Sequence, residues 1–150
     1  MNEDTLHILL VEDDDVDAEA VVRAFKKEQL NYPFTIVTNG LEALTLLRGE
    51  NWGASGRYAR PHIILLDLNM PRMNGIEFLQ ELRADERLKD SIVFVLTTSN
   101  RDEDKWAAYG KQVAGYILKT RAGKDFADMV TLVKCYETIV EFPPDKGRRL

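Results

Sequence analysis

Four acids follow directly on a short apolar run near the start of the chain, where Leu6-His7-Ile8-Leu9-Leu10-Val11 is succeeded by Glu12, Asp13, Asp14 and Asp15. Three later apolar runs end as abruptly. Leu65-Leu66 gives way to Asp67-Leu68-Asn69-Met70-Pro71, Val95-Leu96 to Thr97-Thr98-Ser99, and Ile117-Leu118 to Lys119. Carboxylates, a hydroxyl and an ammonium are the groups phosphoryl transfer asks for, because that reaction needs little from a protein beyond positioning and charge compensation. Crowded carboxylates repel. A hard cation such as Mg²⁺ (or Mn²⁺) relieves them, taking one or two protein carboxylates and completing its shell with phosphate and water. An Asp held beside it is a competent nucleophile toward phosphorus. The charges also balance, since Glu12, Asp13 and Asp67 are offset by a divalent ion and Lys119.

For these groups to meet, the runs that precede them must be neighbouring parallel strands. The runs Leu6–Val11, His62–Leu66, Ser91–Leu96 and Ala114–Leu118, with a weaker one at Phe34–Val37, lack polar alternation. That pattern suits strands buried on both faces. Helical spacing fills the intervals. Val16, Ala20, Val21, Ala24 and Phe25 share one face, then Leu41, Leu44 and Leu46 or Leu47, then Ile76, Leu79 and Leu82. Phe126, Met129, Val130, Val133 and Val140 mark a last helix, which Pro143-Pro144 should stop, leaving a mobile tail. The alternation βαβαβαβαβα predicts an α/β fold, a doubly wound parallel sheet with right-handed crossovers and helices on both faces. Ligands of such sheets sit beyond the carboxyl ends of the strands. The Gly-rich stretch from Gly49 to Pro61 reads as a surface insertion.

At 150 residues, 45% hydrophobic and 30% charged, the chain has the length and balance of one globular domain. Its formal charge of −5 repels phosphate backbones, which argues against non-specific nucleic-acid binding. The single cysteine, Cys135, excludes an internal disulfide and a Cys-cluster zinc site. His7 and His62 lie within strand runs and read as satisfied imidazoles rather than metal ligands. No apolar stretch reaches about 18 residues and no signal peptide is evident, so neither a membrane span nor export is expected, and the cytoplasm is the expected location.

Taken in order, Leu-Leu-Val-Glu12-Asp13-Asp14, Leu-Leu-Asp67-Leu-Asn-Met-Pro71-Arg-Met-Asn-Gly75, Val-Leu-Thr97-Thr-Ser and Gly-Tyr116-Ile-Leu-Lys119 are similar to the receiver domain of two-component response regulators. The resemblance runs from about Leu6 to Val140. It implies a flavodoxin-like five-stranded sheet of order 2-1-3-4-5, with the receiver over 1–142 and a tail over 143–150. It implies Asp67 as phosphoacceptor, Glu12 and Asp13 as the acidic pocket, and the Asn69 backbone carbonyl as a further metal ligand. Thr97 and Tyr116 become the switch pair and Lys119 the phosphoryl-binding cation. The donor is a phosphohistidine on a sensor histidine kinase or phosphotransfer protein. Pro61-His62-Ile63 after a long loop, and Tyr136 to Pro144, resemble single-domain regulators partnered with phytochrome-type kinases. Those form homodimers through the fourth helix, fifth strand and fifth helix. The protein is then a switch rather than an enzyme, and its output passes to another protein.

An aspartyl phosphohydrolase of the Asp-x-Asp type needs a second carboxylate as general acid, where this chain has Asn69. A nucleotide or flavin module needs a Gly-rich phosphate loop after the first strand, where four acids stand. An adaptor of the same fold, indifferent to phosphorylation, stays open. Asp13 to Asp17 imitates the start of an EF-hand loop, but Ala18 and Ala24 occupy the positions of its glycine and bidentate glutamate, so one of these acids is read as a helix cap. Trp106 and Tyr109 on the short fourth helix exceed what two turns need to bury, and an exposed aromatic anchor is expected there. Finally, the family carries a cis proline after the site lysine. Here Thr120 follows, and because a non-proline cis bond costs ~2.5–4 kcal/mol a trans bond is expected.

Overall fold

Each apolar run of the sequence pairs with another in a computed structural model that describes residues 6–49 and 61–144. The element order is β1 (Ile8–Val11), α1 (Asp15–Lys27), β2 (Phe34–Val37), α2 (Gly40–Arg48), β3 (Ile63–Leu66), α3 (Gly75–Ala84), β4 (Ile92–Thr97), α4 (Asp102–Gly110), β5 (Gly115–Leu118) and α5 (Ala127–Ile139). All pairings are parallel and the strand order is 2-1-3-4-5, as the resemblance implied. Register places Val11 beside Leu66 and Leu66 beside Val95, so Glu12, Asp67 and Thr97 leave the sheet along one rim. The ladder continues into the site, with the Glu12 N–H donating to the Val37 carbonyl at 2.9 Å and the Asp67 N–H to Val11 at 3.0 Å.

Two apolar layers cover the sheet. On one side Leu9, Val11, Ile64, Leu66, Val93 and Val95 pack against α2 and α3 through Leu44, Leu47, Phe78 and Leu79. On the other, Ile8, Leu10, Ile63, Leu65 and Leu96 meet α1 and α5 through Val21, Phe25, Met129 and Val133. Strands β1 and β3 are buried along their whole length, but β5, an edge strand, is only half-buried.

Caps fix where the helices begin. Asp14 accepts from the N–H groups of Val16 and Asp17, Asn39 from that of Glu42, and Asn74 forms a reciprocal capping box with Glu77. Gly75 has a steric role, since a Cβ there would lie 2.6 Å from the Asp67 carbonyl oxygen and 2.7 Å from Leu68 Cα. At the far end of the sheet Arg83 donates to four carbonyls, those of Lys111, Lys89, Ser91 and Gln112, at 2.7 to 2.9 Å.

Several expectations are corrected. Val16 and Leu41 are exposed, because each lies in a first helical turn that projects past the sheet. Helix α5 stops at Ile139, so Val140 is extended and Pro143-Pro144 does not end the helix directly. The residue before a proline avoids the helical region, and Phe142 instead turns back to pack edge-on against His62 and Tyr136. Phe126 lies outside α5, in a left-handed conformation with φ of 64°. Trp106 and Tyr109 are both exposed on α4, whose buried residue is Ala108. Cys135 is exposed on α5. The imidazoles are satisfied as expected, with His7 Nε2 at 2.9 Å from Thr35 Oγ1 and His62 Nδ1 accepting from the His7 N–H. Peptide bonds among the described residues, Lys119–Thr120 included, are trans. Most of the Gly49–Pro61 insertion and the tail from 145 onward lie outside the described residues, and no described helix is long and apolar enough to cross a membrane.

Candidate functional site

Glu12, Asp13 and Asp67 each bring one carboxylate oxygen to a common point, the three atoms lying within 4.8 Å of one another. Glu12 and Asp67 are buried, whereas Asp13 is exposed and closes the pocket from the solvent side. Hard oxygen donors converging at this spacing, two of them withdrawn from water, fit a divalent cation such as Mg²⁺ or Mn²⁺. Asn69 lies two residues beyond Asp67, and its N–H reaches Asp67 Oδ1 at 3.4 Å, a weak bond that biases the carboxylate's orientation.

Lys119 enters from the end of β5. Its Nζ lies 2.9 Å from Glu12 Oε1, 2.7 Å from Asp17 Oδ2 and 3.6 Å from Asp67 Oδ2. Burial works to lower the ammonium's pKa, but hydrogen bonds to Asp17 and Glu12 and the charge of Asp67 outweigh it and raise the value. The lysine therefore stays charged. Glu12 moves the other way from what an ion pair alone would give. Burial lifts its carboxyl, Lys119 pulls it down, and the Asp67 charge lifts it again, for a net value of about 7. The difference is one of sharing, because one ammonium serves three carboxylates while Glu12 faces both burial and a like charge.

Thr97, the last residue of β4, and Tyr116, within β5, meet at Ser99. The buried Thr97 Oγ1 accepts from the Ser99 N–H at 3.3 Å, and the Tyr116 hydroxyl donates to the Ser99 carbonyl at 2.9 Å. Burial raises the phenol's pKa, so it remains a donor. Ser99 Oγ donates in turn to Asp104 Oδ2 at 2.5 Å, which ties the strand end to the first turn of α4. These residues thus form two groups, a carboxylate–lysine cluster and a Thr97–Ser99–Tyr116 relay.

Asp17 and Asp104 were missed as site residues. By sequence Asp17 offers only a candidate cap, a role that Asp14 takes. The available signal was its place three residues after that cap, since side chains lean toward a helix N-terminus and hence toward the rim.

Comparison with known proteins agrees with this geometry. The profile of the response regulator receiver domain matches residues 8–131. Response regulator Rcp1 of Synechocystis is 36% identical over 129 residues, covering 86% of this chain and 86% of its own. The crystal structure of the phosphorylated cyanobacterial phytochrome response regulator RcpA superposes with a TM-score of 0.80 at 30% identity, over 93% of this chain and 99% of that one. The Mn²⁺-bound form of Rcp1 gives a TM-score of 0.77 at 35% identity, over 93% and 99%. The chain belongs to the response regulator receiver domain family.

Proposed function

We propose that Asp67 is the phosphoacceptor of a single-domain switch, charged by a phosphohistidine on a sensor histidine kinase or phosphotransfer protein. The observation that carries this reading is the pocket itself, three convergent carboxylate oxygens with one buried ammonium against them. A carboxylate oxygen of Asp67 forms the new O–P bond as the N–P bond of the donor breaks, and the leaving imidazole keeps the electron pair and takes a proton. Glu12, Asp13 and Asp67, with the Asn69 carbonyl, would hold Mg²⁺ or Mn²⁺. A bound cation supplies neutralisation of the crowded charge and polarisation of the phosphoryl oxygens. Lys119 donates to one of those oxygens and Thr97 to another. Because Thr97 and Tyr116 share Ser99, drawing Thr97 inward releases or reorients Tyr116 and, through Asp104, α4.

The likeness to the cyanobacterial phytochrome response regulator RcpA supports a phytochrome-type photoreceptor as the kinase, and the place of action in this reading is the cytoplasm. Readout passes by contact through the face of α4, β5 and α5, which also forms a homodimer. A cavity of about 400 Å³ there is lined by Tyr109, Tyr116, Ile117, Met129 and Leu132, with Trp106 standing 72% exposed beside Tyr109 on α4. A phosphohydrolase is disfavoured, since Asn69 stands where a general acid is required.

Incubation with acetyl phosphate and Mg²⁺, followed by intact mass, tests the reading. Wild type should gain one phosphoryl group and Asp67→Asn none. Equal labelling of both proteins, or steady release of phosphate from small monoesters, would overturn it.

A further inference from the structure

An ammonium has three donors, and two of those on Lys119 are already taken. Its distances of 2.7 Å to Asp17 and 2.9 Å to Glu12 are hydrogen bonds, whereas 3.6 Å to Asp67 is not. The lysine is thus held by two carboxylates and keeps one N–H that the resting Asp67 does not take. We infer that Asp17 is a positioning residue for phosphoryl transfer, anchoring the Lys119 ammonium so that its remaining donor is reserved for an oxygen of the phosphoryl group arriving on Asp67. The inference rests on Asp67 being the phosphoacceptor.

Local structure makes Asp17 a firm anchor. Asp14 Oδ1 accepts from the N–H groups of Val16 and Asp17 at 2.9 and 3.1 Å, fixing the first turn of α1. The next residue, Ala18, is buried among side chains of the sheet, so Asp17 rides on a packed element. An anion is favoured in a first helical turn by the helix dipole. Without Asp17, the ammonium has only Glu12 and Asp67 to pair with and falls toward Asp67, where it covers the oxygen that must attack. With Asp17 present, the pull is balanced and the nucleophile stays uncovered. During transfer from acetyl phosphate an Asp67 oxygen bonds to phosphorus while the bond from phosphorus to the acetate oxygen breaks, and acetate leaves with the electron pair. Lys119 stays protonated throughout and no proton passes through Asp17.

The test compares phosphorylation rates with acetyl phosphate and Mg²⁺ for wild type, Asp17→Asn, Lys119→Ala and the double variant, followed over hours by intact mass, with circular-dichroism melting to confirm folding. Asp17→Asn should slow labelling about tenfold in the protein that retains Lys119 and by less than about twofold in the Lys119→Ala protein. A rate for Asp17→Asn within about twofold of wild type, or equal slowing in both backgrounds, would overturn the inference, because a purely structural role acts without Lys119. Failure of wild type to be labelled at all would instead remove the phosphoacceptor reading beneath it.

Discussion

Glu12 Oε1 sits 2.9 Å from the ammonium of Lys119, and its carboxyl nevertheless titrates near neutrality. Burial and the neighbouring charge of Asp67 lift the value from 4.5 to about 7, against the pull of the lysine. A cation entering the pocket must displace the Glu12 proton. Divalent-ion affinity should therefore be about tenfold weaker at about pH 6 than at about pH 8, read by titrating Mn²⁺ at both values. The same shift sets the sign of a stability change. The folded pKa lies above the unfolded one, so the contribution of Glu12 is fully present below pH 4.5 and is lost as pH rises through about 7. Thermal melts of the cation-free protein should fall across that window, and added Mg²⁺ should offset the fall.

Gly75→Ala places a methyl group against backbone, 2.6 Å from the carbonyl oxygen of Asp67. Neither that oxygen nor Leu68 Cα belongs to a flexible side-chain end, so α3 or the Asp67 strand exit must shift. A loss of about 1–3 kcal/mol in urea unfolding is expected, together with slower labelling of Asp67.

Tyr116→Phe removes the hydroxyl that donates to the Ser99 carbonyl but leaves the carboxylate cluster intact. Stability should drop by about 1 kcal/mol. The rate of labelling by acetyl phosphate should stay within about twofold of wild type, since the hydroxyl bonds to the Ser99 carbonyl and not to the carboxylate cluster.

Trp106→Ala tests the assembly face. A large aromatic that is 72% exposed beside a second one, Tyr109 at 54%, has the character of an interface anchor. Sedimentation of acetyl-phosphate-treated protein should show the variant dissociating at about tenfold higher protein concentration than wild type, and unchanged association would dismiss this face.

The site was legible because it sits where strands end. Abrupt changes from Leu or Val to Glu12, Asp67, Thr97 and Lys119 mark chain positions that a parallel sheet is bound to gather, whatever the details of packing. Asn39, Asn74 and Asp14 likewise announce helix starts through local hydrogen bonding. What stayed hidden depends on side-chain reach between distant segments. Nothing in the periodicity of α1 says that Asp17 spans to Lys119, and nothing in α3 says that Arg83 collects carbonyls from two loops. The end of α5 is hidden for a similar reason. Val140 fits the helical repeat, and only the return of Phe142 onto Tyr136 and His62 explains why the helix stops short.

The Arg83 contacts have a mechanical consequence. By holding the carbonyls of Lys111 and Gln112, the guanidinium pins the C-terminal end of α4, whereas its first turn is tied to the rim through Ser99, which bonds Asp104 and the Arg101 N–H. The helix is a lever with its fulcrum at Gly110 and its free arm at Asp102, roughly 13 Å long at 1.5 Å per residue. A small tug on Ser99 would then turn the helix rather than slide it, with displacement greatest at the end nearest Thr97.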